Sequence, residues 1–350
     1  MRATLVLTYV GAIPAVLLWE HGRQAFWTCA IAALPLLWVL IGFHAWRRAC
    51  PLAWFSRLGA RLGREGARRP GARAQRLAPL IQLGLMIAAL WLRHLALNGD
   101  ARALAAFLLG LALLAAGVGL RWSGRTWCNV VCPVGVVERI YTEPGAAAAA
   151  EESSRCEPCG ACVRRCPDLD QSRAHRAGLL DPARRLATLA WPGVVLGFYL
   201  VWLLEAGRWE AYFSGAWAHE LDPLARAGAP GLAALPWLPR WAAALLVLVT
   251  CGGASALALG GLERLALAQG ADPARTRHRL LTGAGTLGFA VFYLFAGQPT
   301  LRLLPAWAQA LAALACASAA GAVLARGLRA TPPAQVASAR ARRLLPVVQV

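Results

Sequence analysis

Charge is scarce in this chain. Only 15% of its 350 residues are charged, against about 25% in soluble globular proteins, and that deficit excludes an ordinary soluble domain. Lysine is absent: the 36 basic residues are all arginine, a compositional bias from which no function follows. Acids number 17, so the formal net charge is +19. Such a charge often signals nucleic-acid binding. Here the arginines cluster in the connections between apolar runs, which assigns them to membrane topology and leaves no nucleic-acid partner. No convincing internal repeat is present, and neither is a haem or flavin motif. The histidines offer no haem pair, since His44 falls near the inner end of its apolar run and His94 near the outer end of another.

Apolar length is what the chain has instead. Hydrophobic residues make up 58% and the mean hydropathy is +0.50. Eight stretches are long enough to span a bilayer, at 3–19, 25–44, 78–97, 102–120, 186–204, 241–260, 281–298 and 306–325. They predict an all-α polytopic membrane protein of about eight transmembrane helices. Arg2 precedes the first run, but no small-x-small cleavage site precedes Trp19-Glu20, so an uncleaved helix is expected. Segment 45–77 carries nine arginines and one acid, Glu65, which places it in the cytoplasm by the positive-inside rule. Alternation then puts both termini and segments 121–185 and 261–280 on the same side, with 205–240 outside. That outer segment has four acids against Arg208, Arg226 and Arg240. The expected organisation is helices 1–4 over 1–120, a cytoplasmic segment at 121–185, helices 5–8 over 186–325 and a cytoplasmic tail at 326–350.

Ten cysteines are present, six of them in the 121–185 segment. Four stand in C-E-P-C-G-A-C-V-R-R-C-P, giving Cys156-x2-Cys159-x2-Cys162-x3-Cys166-Pro167. This is the bacterial ferredoxin spacing for a [4Fe–4S] cluster. Thiolates three residues apart can wrap one corner of a cubane where the backbone curls tightly. Gly160-Ala161 let the main chain approach the sulfides, and Pro167 turns the chain away. Zinc, the main competitor, prefers two C-x2-C pairs a dozen or more residues apart. The segment is therefore expected to form a small ferredoxin-like, cysteine-rich cytoplasmic loop, in the reducing compartment that thiolate ligands need. Cys29, Cys251 and Cys316 lie in apolar runs and read as small buried hydrophobes.

After the fourth run comes R-T-W-C-N-V-V-C-P-V-G, with Cys128-x3-Cys132-Pro133. W-C-x3-C-P followed by the ferredoxin run in a multi-helix chain resembles the bacterial membrane-bound polyferredoxins. That family includes the quinol-oxidising membrane subunit of periplasmic nitrate reductase systems, the membrane regulator of nitrous oxide respiration and a membrane ferredoxin associated with cytochrome oxidase assembly. The resemblance covers roughly 121–170 and the flanking helices. It implies that Cys128, Cys132, Cys156, Cys159, Cys162 and Cys166 are the functional residues, in a bacterial inner membrane. The chain departs from the family in having one ferredoxin run, no preceding flavin-binding domain, and only W-R-R-A-C-P (Trp46–Pro51) where some members carry a second W-C-x3-C-P. Two clusters need about eight ligands, so a second would require Cys50 or a non-cysteine ligand such as Asp168 or His175. Two ligand sets stay open for the first cluster. Cys156, Cys159 and Cys162 are completed either by Cys166 or by Cys132, the latter leaving Cys166 to pair with Cys128.

Elsewhere, R-W-E-A-Y-F-S-G-A-W-A (208–218) reads as an interfacial aromatic belt or re-entrant segment, with docking of an extracytoplasmic partner as the alternative. Arg93 is expected to snorkel to the outer interface. His21, His94 and His219 are candidates for an outer quinol or metal site. The 45–77 arginines suit anionic lipid, or else an acidic carrier such as flavodoxin or ferredoxin. The function expected is a membrane-bound [4Fe–4S] electron relay between quinone or a cytoplasmic carrier and a partner redox protein, one subunit rather than a complete oxidoreductase. The rival is an iron–sulfur redox sensor or an assembly factor. A zinc scaffold comes third.

Overall fold

The computed structural model of the chain describes residues 1–63, 70–122, 125–146 and 171–330. The ferredoxin-like run from Cys156 to Cys166, and Asp168 with it, lies outside the described residues. The described chain is predominantly helical. Six helices are long and apolar enough to cross a membrane: Gly22–Ile41, Ala72–Leu97, Ala101–Arg121, Pro182–Ala206, Arg240–Ala268 and Ala306–Arg329. The other two expected spans are also helices but fall short of that measure. Arg2–Leu18 has 17 residues, and Pro273–Phe295 opens on Arg275, Arg277, His278 and Arg279, which dilutes its apolarity. Among the described residues the only sheet is a hairpin of Pro230–Leu232 and Leu235–Pro239.

Short sequence signals start and stop these helices. Asp100 and Asp181 accept backbone N–H bonds from the first turns they precede, and Asp181 is followed by Pro182, whose missing N–H costs nothing at a first helical position. The Pro182–Ala206 helix ends on Gly207 at φ 70°, the left-handed cap that glycine adopts without strain. This helix is the hub. Buried residues fill 78% of its most apolar window, against 6% for Ala306–Arg329, so one is surrounded by protein while the other faces outward. It packs most extensively on Arg240–Ala268 and Pro273–Phe295. At Gly193 a Cβ would fall 2.0 Å from the Cys251 carbonyl oxygen, so close backbone approach here depends on glycine.

Two connections are more structured than plain loops. Segment 45–77 is not a plain loop: Phe43–Ala49 and Pro51–Leu62 are helices, and the second packs along Ala101–Arg121. Of its arginines, Arg57 and Arg61 lie on Pro51–Leu62, away from the buried Ala53, Ser56 and Gly59. Part of the aromatic stretch 208–218, expected as an interfacial belt or re-entrant segment, folds inward. Tyr212 and Trp217 are buried in the main apolar core, where the Tyr212 hydroxyl donates to the Phe295 carbonyl and the Trp217 indole N–H donates to the Tyr212 carbonyl.

Candidate metal centre

Cys128 sits in a π-helical turn, Trp127–Val131, and Cys132 ends it just before the Pro133–Ala146 helix. Single π turns are rare and tend to occur where a side chain must be re-aimed. The turn is pinned from outside. The Gln82 amide donates to the Cys128 carbonyl at 2.9 Å, and Gly135 lies so close beneath that a Cβ would fall 2.6 Å from that oxygen and 2.7 Å from the amide nitrogen.

A third thiol joins the pair. Cys50 packs against the buried cluster that contains Cys128 and Cys132, together with Ala53, Ala115, Val118 and Trp127. None of the three is in a disulfide. Cys50 and Cys132 are built alike: each immediately precedes a proline that opens a helix, Pro51–Leu62 and Pro133–Ala146. Burial pushes the Cys50 thiol up to about 11, and the backbone N–H of Ala53, at the helix N-terminus, works the other way. Cys132 is pushed up well beyond its ordinary value by burial, then by Cys128 and Cys50, with the Val134 N–H opposing. Burial therefore favours the neutral thiol at Cys50 and Cys132. A soft metal would supply the charge that turns them into thiolates, and two helix N-termini would help to hold that negative charge. The donor set suits iron or another thiophilic metal. It is a partial set, because among the described residues no group of three or more His, Cys, Asp or Glu side chains is arranged to hold a metal ion on its own.

A buried ion pair fixes the two Cys-Pro elements against each other. Arg47 Nε lies 3.2 Å from both carboxylate oxygens of Glu138, and Arg47 Nη1 donates to Asn129 Oδ1 at 2.6 Å. Its guanidinium also covers the Phe43 ring at 4.2 Å. Arg47 stands three residues before Cys50, Asn129 lies between Cys128 and Cys132, and Glu138 follows them on the next helix. One arginine thus ties together all the elements that carry the three thiols.

No family model matches the chain, and no match is found among curated proteins or solved structures.

At the far end of the Pro133–Ala146 helix, Glu143 is fully buried between two arginines. Arg139 bonds one of its oxygens, and Arg184 Nη2 stands 2.5 Å from the other. Burial works against ionisation of Glu143, yet these arginines hold its carboxyl below the usual range. Beside it, on the Gln171–Gly178 helix, His175 is 1% exposed and hydrogen-bonded to His278.

The opposite end of the bundle corrects a further expectation. Arg93 does not snorkel. It is buried in a second π-helical stretch, Arg93–Leu97, between the rings of Trp27 and Phe198 at 4.1 and 4.7 Å, and its Nε donates to Asn98. His94 beside it bonds the Phe198 carbonyl and stacks near Trp202. His21 and His219 do meet, with ring centroids 5.6 Å apart, but His94 is buried in this aromatic cluster instead. Of the cysteines expected to be buried in apolar runs, Cys29 is exposed and Cys251 and Cys316 are half-buried.

Sequence reasoning missed Arg47, Asn129, Glu138, Gln82 and His278. Asn129, a polar residue inside the C-x3-C turn, was the one available clue. Arg47 was hidden among eight other arginines of the same segment.

Proposed function

We propose that the chain is a membrane-bound [4Fe–4S] electron-transfer protein of about eight spanning helices, whose thiol end faces the cytoplasm of a bacterial cell. The observation that carries the reading is the gathering of Cys50, Cys128 and Cys132 in one buried nook, in a chain that also contains a complete ferredoxin run. Cys128 and Cys132 are buried and Cys50 is half-buried beside them, and the three thiols would form a partial donor set braced by a charged pair. When bound, the cluster supplies single-electron transfer. The chain's own contribution is to exclude water with Trp127, Ala53 and Ala115, and to orient the thiols through Arg47 and Gln82.

Electrons would pass between quinone or a small acidic carrier, such as a flavodoxin or ferredoxin, and a partner redox protein. The arginine-bearing face of Pro51–Leu62 and the segment that follows it suit both anionic lipid and an acidic carrier. Segment 205–240 would meet any extracytoplasmic partner. The test is cycling. Anaerobic protein in lipid nanodiscs should bleach in the visible on adding quinol or reduced flavodoxin and regain its absorbance on reoxidation, over many rounds with constant iron. Loss of iron after one round would instead identify a sensor or an assembly factor.

A further inference from the structure

The Arg48 carbonyl, one residue before the end of the Phe43–Ala49 helix, accepts from two arginines at once. Arg2 Nε lies 3.1 Å from it and Arg57 Nη2 lies 3.2 Å from it. One oxygen thus gathers guanidinium groups from the Arg2–Leu18 helix and from Pro51–Leu62. Like charges drawn together repel, and a guanidinium that gives one of its five N–H donors to a carbonyl still has others to offer. Arg61 extends the cluster, one turn beyond Arg57 on the same face of its helix. Residues 1–63 contain a single acid, Glu20, which stands beyond the far end of Arg2–Leu18. The charge and the geometry both call for an anion with several acceptor oxygens.

The depth of the cluster says which anion. Pro51–Leu62 is fastened to the last turns of a spanning helix. A Cβ on Gly59 would fall 2.0 Å from the Ala116 carbonyl oxygen, and one on Gly119 would fall 1.9 Å from the Ser56 carbonyl oxygen. The short helix therefore sits where Ala101–Arg121 reaches the end of its apolar length. Leu58 and Leu62, next in sequence to the two arginines, are exposed. Bare leucines beside arginines, on an amphipathic helix at the end of a span, suit the boundary between headgroups and acyl chains. The fork of a guanidinium also matches two oxygens of a phosphate. We propose that Arg2, Arg57 and Arg61 bind the phosphate of one anionic phospholipid, whose acyl chains lie over Leu58 and Leu62. Charge alone would serve an acidic protein equally well, and the exposed leucines decide for lipid. The proposal rests on the membrane placement given above and is independent of the iron–sulfur centre. Bound here, the lipid would brace the elbow between Arg48 and Pro51, which carries Cys50.

The test is equilibrium binding of a fluorescent short-chain phosphatidylglycerol to the full chain in neutral detergent, with the phosphatidylcholine analogue beside it. The result expected is saturable binding of the anionic lipid, weakened about fivefold by each of Arg2→Gln and Arg57→Gln. Arg279→Gln, at an exposed arginine on another helix, should change nothing. Inorganic phosphate at the same concentration should not displace the lipid. Equal affinity for phosphatidylcholine, undiminished affinity in the double variant, or displacement by inorganic phosphate overturns the assignment. Flavodoxin binding that the double variant loses while its lipid binding is unchanged also overturns it, and gives the face to a protein carrier. Protein that binds the lipid as expected but holds no iron overturns the iron–sulfur reading and leaves this one standing. Should the double variant fail to fold, the two single variants are read in its place.

Discussion

Arg47 and Arg93 are both buried, and the bundle treats them in opposite ways. Arg47, beside the thiols, is met by the Glu138 carboxylate and the Asn129 amide. Arg93 has no carboxylate partner among the described residues and is held by the faces of Trp27 and Phe198, with Asn98 Oδ1 accepting from its Nε. Gln82, which touches Cys128, and Arg93 lie on the same helix, 11 residues or about 16 Å apart. At the thiol end the buried cation and carboxylate thus offset each other's charge. At the aromatic end a lone cation serves as a clamp between Gly22–Ile41 and Pro182–Ala206, where ring quadrupoles stand in for a counter-ion.

That contrast can be broken from either side, and the largest effect is expected at Glu138. Glu138→Ala removes the carboxylate from a buried pair and should cost about 3–5 kcal/mol, read as a drop in the thermal midpoint in detergent, together with lost bound iron. An unchanged midpoint would mean that the pair is not structural. Gly135→Ala comes next. Its methyl group would press on the Cys128 carbonyl and the Gln82 amide, at an expected cost of about 1–3 kcal/mol, and iron retention should fall in parallel. Arg93→Met leaves no carboxylate orphaned, so only about 1–2 kcal/mol should be lost and the iron content should stay the same. A change in iron there would erase the distinction between the two ends.

The smallest expected effect is a pH dependence. His175 titrates below its unfolded value of about 6.5, so between that pH and about 3 the unfolded chain binds more protons than the folded one. Stability from this group is thus present at neutral pH and lost as pH falls through that window. Glu143, also held low, adds a loss of the same sign as pH falls below the ordinary carboxylate range. Midpoints measured from pH 7 to 4 should fall, and fall less in His175→Gln. A slope identical in the two proteins would remove His175 from the account.

The helices were legible because apolar length is a local property: each expected span lies within an observed helix or overlaps one closely. The thiol nook was legible only in part. Cys128 and Cys132 stand four residues apart, but Cys50 is 78 residues before Cys128, and nothing local to Trp46–Pro51 shows which helix it will face. Pro51–Leu62 was read by its charge rather than by its period, which hid the small buried face of Ala53, Ser56 and Gly59. Arg93 was misjudged for a physical reason. Snorkelling is the cheap solution for a lone helix, whereas a bundle can surround the cation with aromatic rings contributed from distant segments. His175 was a bare candidate in the sequence, and its partner His278, 103 residues away, became readable only in the structure.

The most direct test of the central claim is the iron and acid-labile sulfide content of protein purified without exposure to air, with EPR before and after dithionite. The account predicts iron and acid-labile sulfide in equal amounts, at least about four of each per chain, falling when Cys50, Cys128 and Cys132 are all replaced by serine. Zinc with no iron, in material never exposed to oxygen, would contradict it.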